Sequence, residues 1–299
     1  MPGEKTDMSD YRDWLEETQG YVDSTVNQYV TVARSLVDFL GTKRLTEERY
    51  RDWIQHLKET EMAASSVKTY YRISRRYLVY ESVNFDPGVV RGEIPDSDPN
   101  SLPEPLTQDQ VRQIRDACED AEEEALIVVL YHTGLRNSEV RALTWGDVDW
   151  QKKELTVSRR KKKGWGRDTL PLYDDQLSVL EALRDLRSDD NPHIFPAYKT
   201  PQGVGATYTE PAAEGFMSGS TVRNRVQDVV DRSEVDRPVW PHLFRHTRAT
   251  HLLENGEDAT YVNQFLDHEK METTLRYARL TGETLRESEA ADSGDVFEA

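Results

Sequence analysis

His242 and Arg245 stand three residues apart in the segment PHLFRHTRATH, so on a helix both side chains leave one face and can reach a single anion. Arg136 follows Gly134 at the end of an apolar run, in a turn before a short helical segment over 138–143. Two guanidiniums arriving from different elements can bracket the non-bridging oxygens of a phosphodiester and stabilise the charge of a pentacoordinate transition state. Five of the 11 lysines fall between Lys152 and Lys163, and Lys161, Lys162 and Lys163 are adjacent. A lysine on a mobile tip can hand a proton to a departing oxygen, since an ammonium gives up its proton when desolvated and a guanidinium does not. Together these groups point to phosphate chemistry. Two other readings use the same residues. His242 and His246 at i, i+4 have the spacing of a zinc pair, but no HExxH glutamate lies between them and no third ligand stands out. Arg245–His246 could open a histidine phosphatase, although Thr247 occupies the place of the glycine that would follow. Taken singly, Arg136 could cap a helix or pair with Glu139, and the lysines could form a solvated turn.

These groups need elements to position them, and the apolar spacing supplies candidates. Val26, Tyr29, Ala33, Leu36, Val37 and Leu40 recur at steps of three and four and predict a helix over 23–40, capped by Ser24. A second helix surrounds Tyr50, Trp53, Ile54 and Leu57, and a third runs from 65 or 66 to about 80. The third is two-faced. Val67, Tyr70, Tyr77 and Leu78 can pack, while Lys68, Arg72, Arg75 and Arg76 at i, i+4, i+7 and i+8 make a cationic stripe. Such a stripe is ordinarily a solvated face, but in an acidic chain it gains weight as a phosphate contact. Residues 92–106 hold four prolines with Asp and Ser and no apolar period, the composition of an extended linker. That divides a helical domain over 8–91 from a larger one over 107–280. Thr107 should cap an acidic helix leading to the buried run Ala125–Tyr131. Leu155–Ser158 and Thr169–Leu172 read as strands flanking KKKGWGRD, a hairpin with a basic, glycine-containing tip. The remainder reads as helical over 220–231, 242–255 (stopped by Gly256), 259–266 and 273–280. The fold class expected is mainly α with a small β-hairpin, an α+β chain.

Composition narrows the classes further. A chain of 299 residues has room for two domains, and 27 aromatics (6 Trp, 14 Tyr, 7 Phe) exclude disorder throughout. No apolar run approaches the ~20 residues of a membrane span, so no membrane partner is expected. The lone Cys118 excludes an internal disulfide and fits a reducing cytoplasm. The net charge of −17 argues, by itself, against a polyanionic partner. The acid is dispersed, however: residues 1–100 hold 13 basic and 18 acidic side chains, 13 − 18 = −5, which leaves −12 for the rest. With only 11 lysines among 38 cations, such an exterior suits a protein soluble in concentrated salt, and a halophilic host is expected.

Four ordered segments, TGLRNSEVRALTWGDVD (133–149), RRKKKGWGRDTLPL (159–172), HLFRHTRATHLLENG (242–256) and LDHEKMETTLRYARL (266–280), resemble the tyrosine recombinases of the phage-integrase and Xer type. SSVKTYYRISRRYLVYE resembles the family's core-binding helix, so the likeness spans roughly residues 10–280. The family order of Arg, Lys, His-x-x-Arg, His and a Tyr nine residues later falls on Arg136, Lys163, His242, Arg245, His268 and Tyr277; Lys163 is chosen by counting back from Pro171–Leu172.

The resemblance implies a SAM-like helical core-binding domain before the linker and a catalytic domain after it. It implies a site-specific DNA recombinase in which Tyr277 attacks a phosphodiester to give a 3′-phosphotyrosine that a 5′-hydroxyl later reseals, with neither metal nor ATP as cofactor. Lys163 would protonate the 5′-oxygen, His242 would bond a non-bridging oxygen, His268 would hydrogen-bond or accept the phenol's proton, and Glu139 would orient Arg136. Double-stranded DNA would be clamped between the two domains, with Lys68, Arg72, Arg75, Arg76, Arg223 and Arg225 as phosphate contacts. A tail over 281–299 would dock on a neighbouring protomer of a synaptic tetramer. Nine residues from His268 to Tyr277 are two and a half helical turns, which sets them on opposite sides of one helix and requires a break near Glu272, with Thr273 as the new cap. Two positions depart from the family: Asp267 stands where Leu-Gly-His is usual, where its acid could raise the pKa of His268 or face solvent, and Ala278 and Arg279 replace the histidine after the nucleophile. A non-catalytic DNA-binding regulator and a type IB topoisomerase are the competing functions.

Overall fold

Apolar faces at helical spacing bring together α1 (Ser9–Asp13), α2 (Asp23–Leu40), α3 (Glu47–Glu59) and α4 (Ala64–Tyr80). The computed structural model describes residues 7–60, 62–95, 102–161, 164–199, 211–268 and 270–278. Val26, Ala33 and Leu36 of α2 meet Trp53 and Ile54 of α3 and Val67, Ile73 and Leu78 of α4 in one core. Helix α2 begins one residue before Ser24, so the cap position falls to Val22, which makes no side-chain bond. Thr46 does cap α3, accepting from the Arg49 N–H. Inside the core the Tyr50 hydroxyl is bonded to the Ser74 hydroxyl at 2.8 Å, which removes the cost of burying either alone.

The stretch expected to be one extended linker is described at its two ends. A 3₁₀ helix over Pro87–Glu93 runs into it, and Ile94 packs on the first core. At the far end Leu106 is fully buried in the second core, with its N–H donated to the Thr247 hydroxyl. Apolar side chains at both ends of the expected linker are therefore packed, and the chain divides into two compact units between residues 101 and 102.

The second unit is built around α6 (Ala121–Thr133), which follows α5 (Gln108–Asp116). Thr107 and Gln110 form a reciprocal capping box on α5, and the Asp120 carboxylate accepts from the Glu123 N–H to open α6. Every residue from Ala125 to Leu130 is buried, so the middle of α6 is apolar all round and lies at the centre of its unit, as such stretches must. Then come α7 (Asn137–Ala142) and an antiparallel sheet of β1 (Val148–Asp149), β2 (Glu154–Lys161) and β3 (Gly164–Pro171), in the order β1-β2-β3. The expected hairpin is longer than its apolar ends suggested: pairing runs from Glu154↔Pro171 to Lys161↔Gly164. α8 (Asp174–Leu186) and a two-stranded sheet of β4 (Pro196–Tyr198) and β5 (Pro211–Phe216) follow, then α9 (Gly219–Arg232), α10 (Pro241–Glu254) and α11 (Ala259–Leu266). Residues 271–278 form a further helix. The class is α+β, mainly helical, as the sequence leads one to expect. α8 and the β4–β5 sheet are additions to the sequence reading. Among the described residues no helix is long and apolar enough to cross a membrane.

Candidate active site

Three elements converge at the C-terminal end of α11. The first is the turn after α6. Gly134 ends that helix with φ 59, and a Cβ placed there would stand 2.5 Å from Leu266 Cδ2, so both handedness and space demand glycine. Arg136 follows at the N-cap of α7. Glu139, buried three residues on, accepts the Arg136 N–H at 2.8 Å and its Nη1 at 2.7 Å, fixing backbone and guanidinium together. The second element is α10, opened by Pro241 at its first position, which carries His242, Arg245 and His246. The third is the turn from α11 into the helix over 271–278.

That turn explains how His268 and Tyr277 share one pocket. Asp267 adopts the left-handed conformation (φ 54), its N–H bonds to Gln264 O, and His268 N–H bonds back to Asn263 O, a helix ending usually built on glycine. The break between His268 and Tyr277 therefore falls earlier than Glu272. The new helix starts at 271, and Thr273 lies in its first turn, its N–H on Lys270 O, rather than capping it.

Helix ends leave carbonyls without partners, and here arginines take three in succession. Arg159 Nη2 donates to Phe265 O at 3.0 Å, Arg245 Nη2 to Leu266 O, and Arg136 Nη2 to Asp267 O at 2.9 Å. Arg245 also donates to Gly134 O at 2.8 Å, tying the α6 turn to the α11 turn. It is 1% exposed, and burial, aided by the charge of Arg136, pulls its pKa down to about 10, so it remains a cation. Arg159 is fully buried as well, with Asp168 3.6 Å from its Nη1.

Tyr277 is 3% exposed. Its hydroxyl is bonded to His246 Nδ1, its ring lies nearly parallel to that of His268 (centroids 6.0 Å apart, 14° between planes), and the charge of Arg245 acts on it. Burial outweighs that charge and pushes the phenol up to about 12, so it is protonated at neutral pH. The imidazoles move the other way. Burial, reinforced by Arg245 and Arg136, lowers His268 to about 3; burial, reinforced by His242 and Arg245, lowers His246 to about 4. Both are therefore neutral at pH 7. His242 reaches solvent at the rim, and desolvation and the two arginines depress it too. Its ring is 4.7 Å from that of His246 and nearly perpendicular to it. Among the described residues no three or more His, Cys, Asp or Glu side chains group to hold a metal.

The phage integrase family model matches residues 104–283, well over half of the chain. The chain belongs to the phage integrase family. Its relatives include the tyrosine recombinase XerA of Thermococcus onnurineus (strain NA1), 26% identical over 283 residues that cover 92% of this chain and 93% of the relative. Among solved structures, XerA recombinase superposes with a TM-score of 0.53 at 22% identity, covering 97% of this chain and all of that one. A lambda integrase dimer bound to a COC′ core site does so with 0.65 at 17%, covering 88% and 94%. The protein is a tyrosine recombinase, an enzyme of site-specific DNA recombination.

Of the positions expected from the sequence, the integrase fold brings Arg136, Glu139, His242, Arg245, His268 and Tyr277 together. Lys163 and residues 281–299 lie outside the described residues. Asp267 does not simply face solvent, since its carboxylate lies 3.9 Å from Arg136 Nη1. The net shift of His268 is downward, set first by burial and then by Arg245 and Arg136. Arg225, expected on DNA, is held by Glu122 at 3.1 Å and Asp120 at 3.6 Å and lies over the Tyr198 ring, because the buried Glu122 needs a cation. Arg223 is exposed. In the first unit Lys68, Arg72 and Arg75 are exposed and Arg76 is half-buried against Tyr21. Arg72, Arg75 and Arg76 line a cavity of about 430 Å³ with Tyr29. Sequence reasoning missed two residues. Arg159 was legible from period two, since Leu155, Val157 and Arg159 share the inward face of β2. His246 was weighed only as a zinc partner for His242 and as the histidine of a phosphatase opening.

Proposed function

We propose that Tyr277 is the nucleophile of strand cleavage. Its oxygen attacks a DNA phosphodiester, the bond to the 5′-oxygen breaks, and a 3′-phosphotyrosine conserves the bond energy until another 5′-hydroxyl reverses the step. Arg136 and Arg245 bind the non-bridging oxygens, His242 adds a hydrogen bond from the rim, and Lys163 gives its proton to the departing oxygen. Glu139 keeps Arg136 aimed, and His268 packs against the phenol. No metal ion or nucleotide cofactor enters this step. Duplex DNA is held through phosphates by Lys68, Arg72, Arg75 and Arg76 of the helical domain over 8–91 and by Arg223 of the catalytic domain over 107–280. The reaction runs in the cytoplasm in a synaptic tetramer, with residues 281–299 docked on the adjoining protomer.

The observation that carries this reading is the buried phenol sharing one pocket with the Arg245 guanidinium and the rings of His246 and His268. A nicked suicide duplex tests it. Cleavage beside the nick releases a short strand, resealing fails, and covalent protein–DNA accumulates on a denaturing gel. The wild-type protein traps DNA and Tyr277→Phe does not; trapping that survives the substitution assigns the nucleophile elsewhere.

A further inference from the structure

We infer that His246 is a catalytic residue of this recombinase: it holds the Tyr277 hydroxyl on Nδ1 and takes its proton as the phenol attacks. The inference rests on Tyr277 being the nucleophile. The phenol is fully protonated in the resting pocket, so attack needs an acceptor within hydrogen-bond reach, and position is the first criterion for that role. His246 Nδ1 meets it, bonded to the hydroxyl, with ring centroids 5.4 Å apart. His268, the acceptor that spacing along the chain suggests, is engaged otherwise. Its Nδ1 is 2.8 Å from the Thr274 hydroxyl, which in turn donates to Asn263 Oδ1 at 3.0 Å, and its ring lies alongside the phenol. Asn263 and Thr274 thus fix His268 through the helix-ending turn, while His246 alone of the two imidazoles bonds to the hydroxyl.

The geometry of α10 supports this arrangement. His242 and His246 are one turn apart on α10, and Arg245 leaves the same helix one position earlier, toward Gly134 and Leu266. The groups facing His246 are His242 and Arg245 from its own helix, Tyr277 from the helix over 271–278 and His268 from the turn before it. Cations and neutral rings surround it, so it stays neutral and able to accept until a phosphodiester brings negative charge. The step then balances. The phenol proton passes to Nδ1, the tyrosyl oxygen bonds to phosphorus, the bond to the 5′-oxygen breaks, and that oxygen is protonated by a separate acid. On religation the imidazolium returns its proton to the tyrosyl oxygen as the leaving group.

Single-turnover covalent attachment to the nicked suicide duplex tests this with the full chain. His246→Asn and His246→Gln keep a polar side chain but cannot carry a proton, and His246→Ala leaves room for added imidazole. Expected is a loss of roughly 10²-fold in attachment rate for the amide variants at unchanged DNA affinity, with partial recovery of the alanine variant in imidazole. A duplex with sulfur in place of the 5′-oxygen separates the two proton transfers, because a thiolate leaves without an acid. The loss should persist on that substrate. Amide variants that attach at the wild-type rate, or a loss that the sulfur substrate erases, overturn the assignment while leaving Tyr277 in place. If the wild type attaches to neither duplex, the nucleophile assignment falls and this one with it.

Discussion

Arg245 of α10 and Arg72 of α4 carry the same guanidinium in opposite surroundings. Arg245 is buried, and two of its five N–H donors go to the carbonyls of Gly134 and Leu266; Arg72 is open to solvent at the edge of a cavity it shares with Arg75, Arg76 and Tyr29. The contrast shows one acidic chain holding its cations in two kinds of surroundings. A buried cation costs desolvation, so the fold offsets part of that cost with backbone carbonyl acceptors, and what results is a fixed positive field in a low-dielectric pocket. An exposed cation needs no such support, but salt screens it and water competes for it. The first kind suits stabilisation of a transition state, the second adhesion to phosphates.

Replacing Arg245 by Lys should show the largest effect. The charge remains, yet one ammonium cannot span Gly134 O and Leu266 O, so the turn that presents His268 loses an anchor. Covalent attachment should fall by roughly 10²–10³-fold in a single-turnover assay while the affinity for duplex DNA holds. Acid should separate the regions next, because the buried imidazoles titrate and guanidiniums do not. His246 at about 4 and His268 at about 3 lie below the ordinary 6.5, so the unfolded chain binds more protons between those values. Their contribution to stability is therefore complete above 6.5 and is lost as pH falls toward the folded values. At pH 5 each should cost about 2 kcal/mol relative to pH 7, as an upper bound, read from denaturant midpoints of the wild type against His246→Asn.

How much of this was legible in the chain depends on which force fixes each part. α2, α3, α4 and α11 could be read from apolar spacing because burial of one face decides them. The ends of the linker could not, since Ile94 and Leu106 are single apolar residues among prolines, and only tertiary packing shows where they go. The hairpin strands extend beyond the apolar positions because ladder pairing continues through Arg159, which spacing would mark as inward but charge marks as outward. Tyr277 and His268 were located by likeness to a family. The turn that lets them meet depends on a left-handed Asp267, a conformation that β-branched residues rarely reach and that Asn and Asp tolerate. His246 was hidden for a different reason: its role depends on a partner 31 residues away that arrives from another element.

The exposed region should respond to smaller changes. Removing Arg72, Arg75 and Arg76 together by Ala substitution should weaken duplex binding by about tenfold or more and flatten its salt dependence by roughly one counterion per lost contact. Cleavage at saturating DNA should be unaltered, and a fall in the cleavage rate would erase the distinction drawn between the two regions. Asp267→Asn should give the smallest change. Asn keeps the left-handed turn while removing the carboxylate 3.9 Å from Arg136. A few-fold faster attachment at unchanged thermal stability is expected, measured on the same nicked duplex.

The most direct test of the central claim is to digest the trapped protein–DNA adduct and locate the nucleotide by mass spectrometry. The account predicts a 3′-phosphonucleotide on the peptide that contains Tyr277 and on no other. A nucleotide on another tyrosine, or on a residue outside the pocket of Arg136, Arg245, His246 and His268, would contradict it.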